Sequence, residues 1–410
     1  MDAHQVMLAQ QQRTIKILAL AQVLNGLGVA GTVAAGSLLV SSITDSETLA
    51  GLAQTSSVLG AAALAIPLAR LTARGGRRLA LSVGYLAGVL GSILAIIGGS
   101  SKTLAFMLIG TFLVGAASAA GYQARFAAID LASDEHRAKH LSFVVWGLTI
   151  GAVIGPNLMD PSGRLAESLG LPHLVGPYLI STITLLLSTL VIQLFLKPDP
   201  YFTARSMRGE SGSEKRQIKK ALSHIVENPR ALFAILAIST GHIAMVTIMV
   251  MTPVHMKHVD VTLTIIGLVI SIHVLGMYAF SPLVGSLSDR IGRINTIRIG
   301  VLTLLLAALV SGRAHADDAI QLGIGLFLLG LGWSFTLIAG STFLTESVVP
   351  ELKTSAQGAS DLVMNLSGAF GGAIAGVVIA TLSYGWLCAL AAIPVSFLGI
   401  WSLRIVKAKR

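Results

Sequence analysis

"GSLSDRIGR", residues 285–293, packs one aspartate, two arginines and two glycines into nine residues. It lies between the apolar runs "VDVTLTIIGLVISIHVLGMYAFSPLV" and "IRIGVLTLLLAALVSG". Gly285 and Gly292 let helices approach closely and give the turn backbone angles that other residues resist. Asp289 needs a partner beside so much grease. Arg290, Arg293 or the free N–H groups that open a neighbouring helix can each supply one. A partial echo, "ARLTARGGR", occupies residues 69–77.

The surroundings of this turn set the fold class. The chain has 410 residues, of which 54% are hydrophobic and 12% charged, with a mean hydropathy of +0.79. Soluble domains carry about 25% charged residues, because their surface must be wetted. Windows of about 20 apolar residues recur here, and each can span a bilayer as a helix. Twelve spans are predicted, near 15–41, 48–69, 79–99, 104–127, 140–159, 175–196, 230–254, 262–284, 295–312, 319–342, 357–381 and 384–404. The first twelve residues are largely polar and the first apolar run is too long for a secretory leader, so no cleavable signal is expected. Cys388 is the single cysteine, which excludes an intrachain disulfide and a cysteine metal cage.

Charge fixes the expected orientation. With the N-terminus inside, all of the 29 Lys and Arg except Lys102, Arg164, Lys257 and Arg313 fall on the inner side. By the positive-inside rule both termini are cytoplasmic. The net charge of +10 thus reflects topology, and no nucleic-acid partner is implied. The partner it implies is the lipid bilayer.

The longest polar stretch, 197–230, follows span six. It divides the chain into a first bundle (1–197), a cytoplasmic linker (198–229) and a second bundle (230–410). Within it, Ile218, Leu222, Ile225 and Val226 are spaced either for a short helix on the inner membrane surface or for a solvated linker. One register relates the two halves. Arg74 and Arg290, Gly76 and Gly292, Arg77 and Arg293, Asp130 and Glu346, Glu135 and Glu351, and Arg137 and Lys353 are each 216 residues apart. A duplicated six-span unit accounts for this, and internal repeats mark secondary transporters.

Twelve spans, the duplication and the turn between spans eight and nine resemble the major facilitator superfamily. Its signature, G-x-L-x-D-R-x-G-R, is matched at every fixed position by Gly285, Leu287, Asp289, Arg290, Gly292 and Arg293. The first-half copy departs from it: Ala69 and Ala73 stand where a glycine and an aspartate are expected. The resemblance covers essentially the whole chain. It implies an all-α membrane protein with twelve transmembrane helices in two six-helix bundles, related by a pseudo-twofold axis and enclosing a central cavity. It further implies alternating access, with Asp289 latching the inner end of span five, near Lys139 to Ser142, and with Arg74 and Arg77 in the matching switch. The sequence "GAVIGP" in span five places Gly151, Gly155 and Pro156 on the core of the superfamily's antiporter motif, G-x-x-x-G-P, without its trailing glycine. The same spacing is ordinary helix-packing grammar in membranes. The arginine expected midway along span four of drug/proton antiporters is absent from "LIGTFLVGAASAA"; Arg125 lies nearer the cytoplasm.

Ionisable groups at membrane depth default to functional candidates. Four candidates for proton coupling follow: His242 and His273 at the midplane, and Asp130 beside Arg125 at the inner end of span four. Histidine changes charge near neutral pH, whereas Asp130 would titrate only if its arginine moved away. Asp361, a turn into span eleven, suits a gate or a helix cap. Asn25, Gln123, Trp146, His242, Met245, His273, Trp333 and Asn365 fall at depths where they can line a substrate site. "MVTIMVMTPVHMKH", 245–258, offers thioether and imidazole groups that suit copper(I), but no second Met/His cluster completes a path, so no metal and no cofactor is expected. No G-x-x-x-x-G-K-[ST] loop exists for an ATP-driven pump, and no convergent acids suggest an enzyme. The expected function is proton-coupled export of small apolar or amphiphilic compounds by a monomer in the cell's inner (plasma) membrane. Nutrient or metal-chelate transport is the alternative.

Overall fold

A lone segment in lipid can satisfy all its backbone polar groups only as an α-helix. The computed structural model describes residues 3–45, 49, 51–207, 218–257 and 263–405. Among these it has fifteen α-helices, three short 3-10 turns and no strand. The helices are α1 (Ala3–Thr44), α2 (Leu52–Ser100), α3 (Leu104–Ala127), α4 (Arg137–Asn157), α5 (Met159–Ser168), α6 (Gly176–Phe195), α7 (Pro200–Met207), α8 (Ile218–Glu227), α9 (Pro229–Lys257), α10 (Leu263–Tyr278), α11 (Ser281–Ile291), α12 (Arg293–Gly312), α13 (Ala319–Ser347), α14 (Lys353–Thr381) and α15 (Tyr384–Ile405).

Eleven stretches among the described residues are long and apolar enough to cross a membrane. One is α2, with 49 residues. At about 1.5 Å per residue it would measure roughly 73 Å, more than twice the ~30 Å hydrocarbon core. It is two helices meeting at Gly76, where φ 80° and ψ 175° interrupt the ladder. With α2 counted as two, the twelve expected spans are accounted for. Span eight is made of α10 and α11, which follow each other directly.

The chain divides into two compact units. One comprises Met1–Ser133, Phe143–Gln217 and Gln357–Leu362; the other comprises Asp134–Ser142, Ile218–Ala356 and Val363–Arg410. Each unit therefore includes a short segment from beyond the linker: the start of α14 in the first, the start of α4 in the second. Residues 208–217 of the expected linker lie outside the described residues. Its remainder forms α7 and α8, so the segment after 217 is helical, with Ala221 and Ile225 buried and Leu222 and Val226 exposed.

Lipid removes the hydrophobic drive between helices, so packing relies on small residues that let backbones meet. In the first unit Ala117, Ala120 and Ala124 of α3 pack with Leu68, Leu81 and Tyr85 of α2 and Leu185 and Ile192 of α6. A Cβ on Gly91 would come within 2.5 Å of the Gly110 carbonyl, so α2 and α3 touch backbone to backbone. Leucines and isoleucines such as Leu90, Ile109 and Leu194 are exposed instead; in a membrane this surface faces lipid. In the second unit α13 is the most enclosed helix, packed on α12, α10 and α9.

Candidate functional site

Two polar networks and one aromatic cluster gather most of the singled-out residues. The first network lies in the first unit and starts at Gly76. The positive φ there turns the chain so that the next helical stretch begins at Arg77. The Asp199 carboxylate accepts from the backbone N–H groups of Arg77 at 3.2 Å and Arg78 at 2.8 Å. It caps that helix start, where free N–H groups and the helix dipole favour an anion. A Cβ on Gly76 would lie 2.4 Å from this carboxylate, so glycine is required for space as well as for φ.

Arg77, thus anchored, is buried and forks onto Asp130. Its Nε donates to Oδ2 at 2.8 Å and its Nη2 to Oδ1 at 3.1 Å. Nη2 also donates to Gln357 Oε1 at 2.9 Å and Nη1 to Gln123 Oε1 at 3.4 Å. Gln123 passes the chain on, its Nε2 donating to Asp361 Oδ2 at 2.7 Å. Arg125 Nη2 donates to Asp361 Oδ1 at 2.6 Å. The Arg125 guanidinium lies over the Phe126 ring at 4.6 Å and near the Tyr122 ring at 5.6 Å. Both Arg125 and Asp361 side chains are 1% exposed. Two arginines and two aspartates thus form a charge-matched set, as a buried cluster of ions requires.

The second network lies in the second unit and uses the same parts. Gly292 has φ 87° and ψ 157°, close to Gly76. Arg293 donates through Nε and Nη2 to Glu346 Oε1 at 3.1 and 2.9 Å, as Arg77 does to Asp130. This unit has in addition the acid of the full signature. Asp289 accepts from the backbone N–H of Ala138 at 3.1 Å and Lys139 at 2.8 Å, and from Arg293 Nη1. The expected seat of Asp289 on the start of span five is found, with Arg293 rather than the exposed Arg290 beside it. Gly285 is also where a side chain cannot fit: a Cβ would stand 2.2 Å from Ser142 Oγ.

The aromatic cluster belongs to the second unit. Trp333 Nε1 donates to His242 Nδ1 at 3.1 Å, which places the His242 proton on Nε2. Tyr278 meets the Trp333 ring edge-on at 5.6 Å. Gly368 lies under the His242 ring, with room for no Cβ: one would come within 2.7 Å. Met245 and Asn365 are buried in the same unit. His273 is elsewhere: its Nδ1 bonds the Leu326 carbonyl at 2.8 Å, a link from α10 to α13.

The other expected residues serve packing or stand apart. Asn25 is buried, with Nδ2 3.5 Å from Gln22 Oε1, and it rests on Gly121. Trp146 is 37% exposed. Gly151 lies against the Gly26 backbone, and Gly155 against Ala30 and the Gly31 N–H, so this pair seats α4 on α1. The Pro156 side chain lies outside the described residues, and Arg74 is exposed. Asp130 and Arg125 do not act as one unit: each arginine has its own aspartate. In the Met/His string Met256 is buried and His255 stacks on Tyr384 at 4.3 Å; His258 lies outside the described residues. Among the described residues no three His, Cys, Asp or Glu side chains gather as metal ligands.

Reading the sequence singled out neither Asp199 nor the central place of Asp361. The missing signal is distance along the chain: Arg125 and Asp361 are 236 residues apart.

Comparison with known proteins bears on the whole chain. The family model described as Major Facilitator Superfamily matches residues 18–262 and 242–410. The chain is 36% identical over 413 residues to the uncharacterized MFS-type transporter YddS of Bacillus subtilis, covering 97% of this chain and 92% of that one. It is 25% identical over 353 residues to the riboflavin transporter RfnT of Brucella anthropi, covering 86% and 85%. Among solved structures, the proton:xylose symporter XylE superposes with a TM-score of 0.73 at 15% identity, covering 97% of this chain and 96% of that one. This last likeness concerns the fold.

Proposed function

Because this chain belongs to the major facilitator superfamily, and is thus a multi-pass membrane transporter of small molecules, we propose that it exports small apolar or amphiphilic compounds in exchange for protons. The observation that carries the reading is the makeup of the two kinds of polar site. The His242–Trp333–Tyr278 cluster is built of ring faces and carries no fixed charge, which suits flat, largely apolar cargo. The two buried arginines of the first network are each matched to an acid: Arg77 to Asp130 and Arg125 to Asp361. No arginine pair is left over as a clamp for a phosphate or carboxylate substrate among the residues of this network.

In this reading the aromatic cluster binds cargo by stacking and apolar contact. Trp333, Tyr278 and Met245 supply area, and His242 and Asn365 supply hydrogen bonds. Asp289 and the two arginine–acid pairs hold the helix ends whose rearrangement gates access. The protein works in the plasma membrane as a monomer, with both termini cytoplasmic.

A second reading is nutrient transport. The relative named as a riboflavin transporter favours it, and a flat heteroaromatic vitamin would suit the same ring faces.

The test uses the purified full chain in proteoliposomes with an imposed pH gradient, and ethidium and riboflavin as separate probes. Export predicts ethidium movement that stops when an uncoupler collapses the gradient. Movement of riboflavin alone would favour the second reading. Ethidium flux that ignores the gradient would overturn proton coupling.

A further inference from the structure

The first unit carries a groove on its surface between α1 and α6, away from its polar network. Its volume is about 490 Å³. Ile17 and Leu20 of α1 and Val191 and Phe195 of α6 line it with apolar atoms, and Arg13 and Lys16 of α1 line it with charge. The two kinds of lining are sorted along its length. Arg13 Nη2 donates to the carbonyl of Phe195 at 3.4 Å, and Phe195 is the last residue of α6. The guanidinium therefore sits where the negative end of that helix favours a cation. Leu20 follows Arg13 by seven residues, about 10 Å along α1. Val191 stands one turn back from Phe195 in the same direction. The groove thus has a cationic end, level with the end of α6, and an apolar end one to two turns further into the span.

Arg13, Lys16, Leu20 and Phe195 are exposed. Among the described residues no acid pairs with Arg13 or Lys16. The buried arginines of the same unit behave differently, since each has its aspartate.

The second unit does not repeat the arrangement. In the 216-residue register Arg13 and Lys16 correspond to Pro229 and Leu232. Ile17 corresponds to Phe233, which is fully buried and meets Trp401 of α15 edge-on at 5.4 Å. Both cations are absent there, and rings pack the α9–α15 crossing. Positive charge that served only to orient the chain would need no groove beside it.

We propose that this groove is a binding site for one anionic phospholipid, with its phosphate on Arg13 and Lys16 and an acyl chain along Ile17, Leu20 and Val191. In the orientation proposed above the site opens to the cytoplasmic leaflet, where anionic lipids collect and basic pockets between helices hold their headgroups. Lipid covers any exposed apolar groove in a membrane, so the headgroup is what the side chains select. The Arg13 guanidinium offers a planar fork that matches two phosphate oxygens. Lys16 adds a point charge on a long stem that lies along apolar surface while its head reaches the polar layer. A zwitterionic headgroup would bring its own ammonium beside these cations, and an anionic one does not. Both walls belong to one unit, so the lipid braces α1 against α6 and stabilises the folded protein by binding it.

The test uses the purified, delipidated full chain in detergent, with phosphatidylglycerol, phosphatidylethanolamine or inorganic phosphate added separately. Native mass spectrometry counts bound lipid, and thermal unfolding reads the stabilisation. Phosphatidylglycerol should remain as one tightly bound copy and raise the unfolding temperature, and the other two additives should do neither. Arg13→Gln/Lys16→Gln should weaken phosphatidylglycerol binding about tenfold or more. Leu20→Trp keeps both charges and fills the groove, and it should weaken binding as well. Phosphatidylethanolamine held as tightly as phosphatidylglycerol overturns the proposal, as does full binding in either variant. Stabilisation by inorganic phosphate equal to that by phosphatidylglycerol would reveal an anion site without a lipid and overturns it too. Lys16→Gln and Val191→Trp replace a variant that fails to fold and are judged by the same outcomes. No arm of the experiment depends on the cargo or on the coupling ion.

Discussion

Gly285 of α11 lies against Ser142 of α4 so closely that an added Cβ would stand 2.2 Å from the serine Oγ. In the 216-residue register the corresponding residues are Ala69 and Gly358, and there the Ala69 methyl would be 2.5 Å from a Cβ on Gly358. The contact is the same in both units, but glycine has changed helices. What the fold requires is one missing side chain at the crossing, not glycine at a given position. The first-half departure from the signature at Ala69 is thus compensated 289 residues later in the chain.

Gly285→Ala should therefore lower stability by about 1–3 kcal/mol through overpacking. The double variant Gly285→Ala/Ser142→Gly reproduces the first-unit arrangement and should recover most of the loss. Thermal unfolding of the detergent-purified protein reads both. Equal destabilisation of the single and double variants would show that the crossing is not the cause.

Asp130→Leu strands the buried Arg77 guanidinium and should cost about 3–5 kcal/mol. Glu346→Leu, in the matching place, should cost less, because Glu346 is 24% exposed and water can solvate Arg293 once the acid is gone. Removing both charges together, as Arg77→Met/Asp130→Leu, should be milder than Asp130→Leu alone. The same unfolding measurement ranks the three.

Asp289→Asn keeps one acceptor oxygen for the start of α4 but loses the charge that suits a helix N-terminus. A loss of about 1 kcal/mol is expected, with the protein still folded. Transport should fall by more than this small loss implies. Full ethidium flux at normal expression would contradict a gating role for Asp289.

Trp333→Phe removes the N–H that His242 accepts while preserving ring area. The expected result is weaker binding of the transported probe with little change in maximal rate, measured as concentration dependence of uptake into proteoliposomes. His273→Leu should instead act on stability, since its Nδ1 links α10 to the Leu326 carbonyl on α13, and proton-coupled flux should survive wherever the protein folds. A lost pH dependence in His273→Leu with an intact fold would return that histidine to the coupling path.

Spans and duplication were legible in the sequence because each is written locally or periodically. A run of about 20 apolar residues must be helical in lipid wherever its neighbours lie. The glycines at 76 and 292 are needed because the chain must turn with positive φ there, and for Asp289 the residues offered Arg290, Arg293 or a helix N-terminus, the family resemblance alone implying the start of span five. The register of 216 also joined Asp130 to Glu346 before any contact was known.

The pairing of the buried charges was not legible, and the reason is physical. Arg125 sits five residues from Asp130, which made that acid the natural partner on sequence grounds, yet the fork geometry of Arg77 claims Asp130 and leaves Arg125 to Asp361. Which arginine reaches which acid depends on how α2, α3 and the first turns of α14 come together, and side chains meeting across 236 residues leave no periodic trace. A repeat search finds what is duplicated, so it is blind to a pair that only one half contains. The sequence by itself determined that charge would be scarce, buried and confined to helix ends and turns. Tertiary structure alone decided that Asp361, one turn into its span, becomes the fully enclosed partner of Arg125, because only packing removes water from both groups at once.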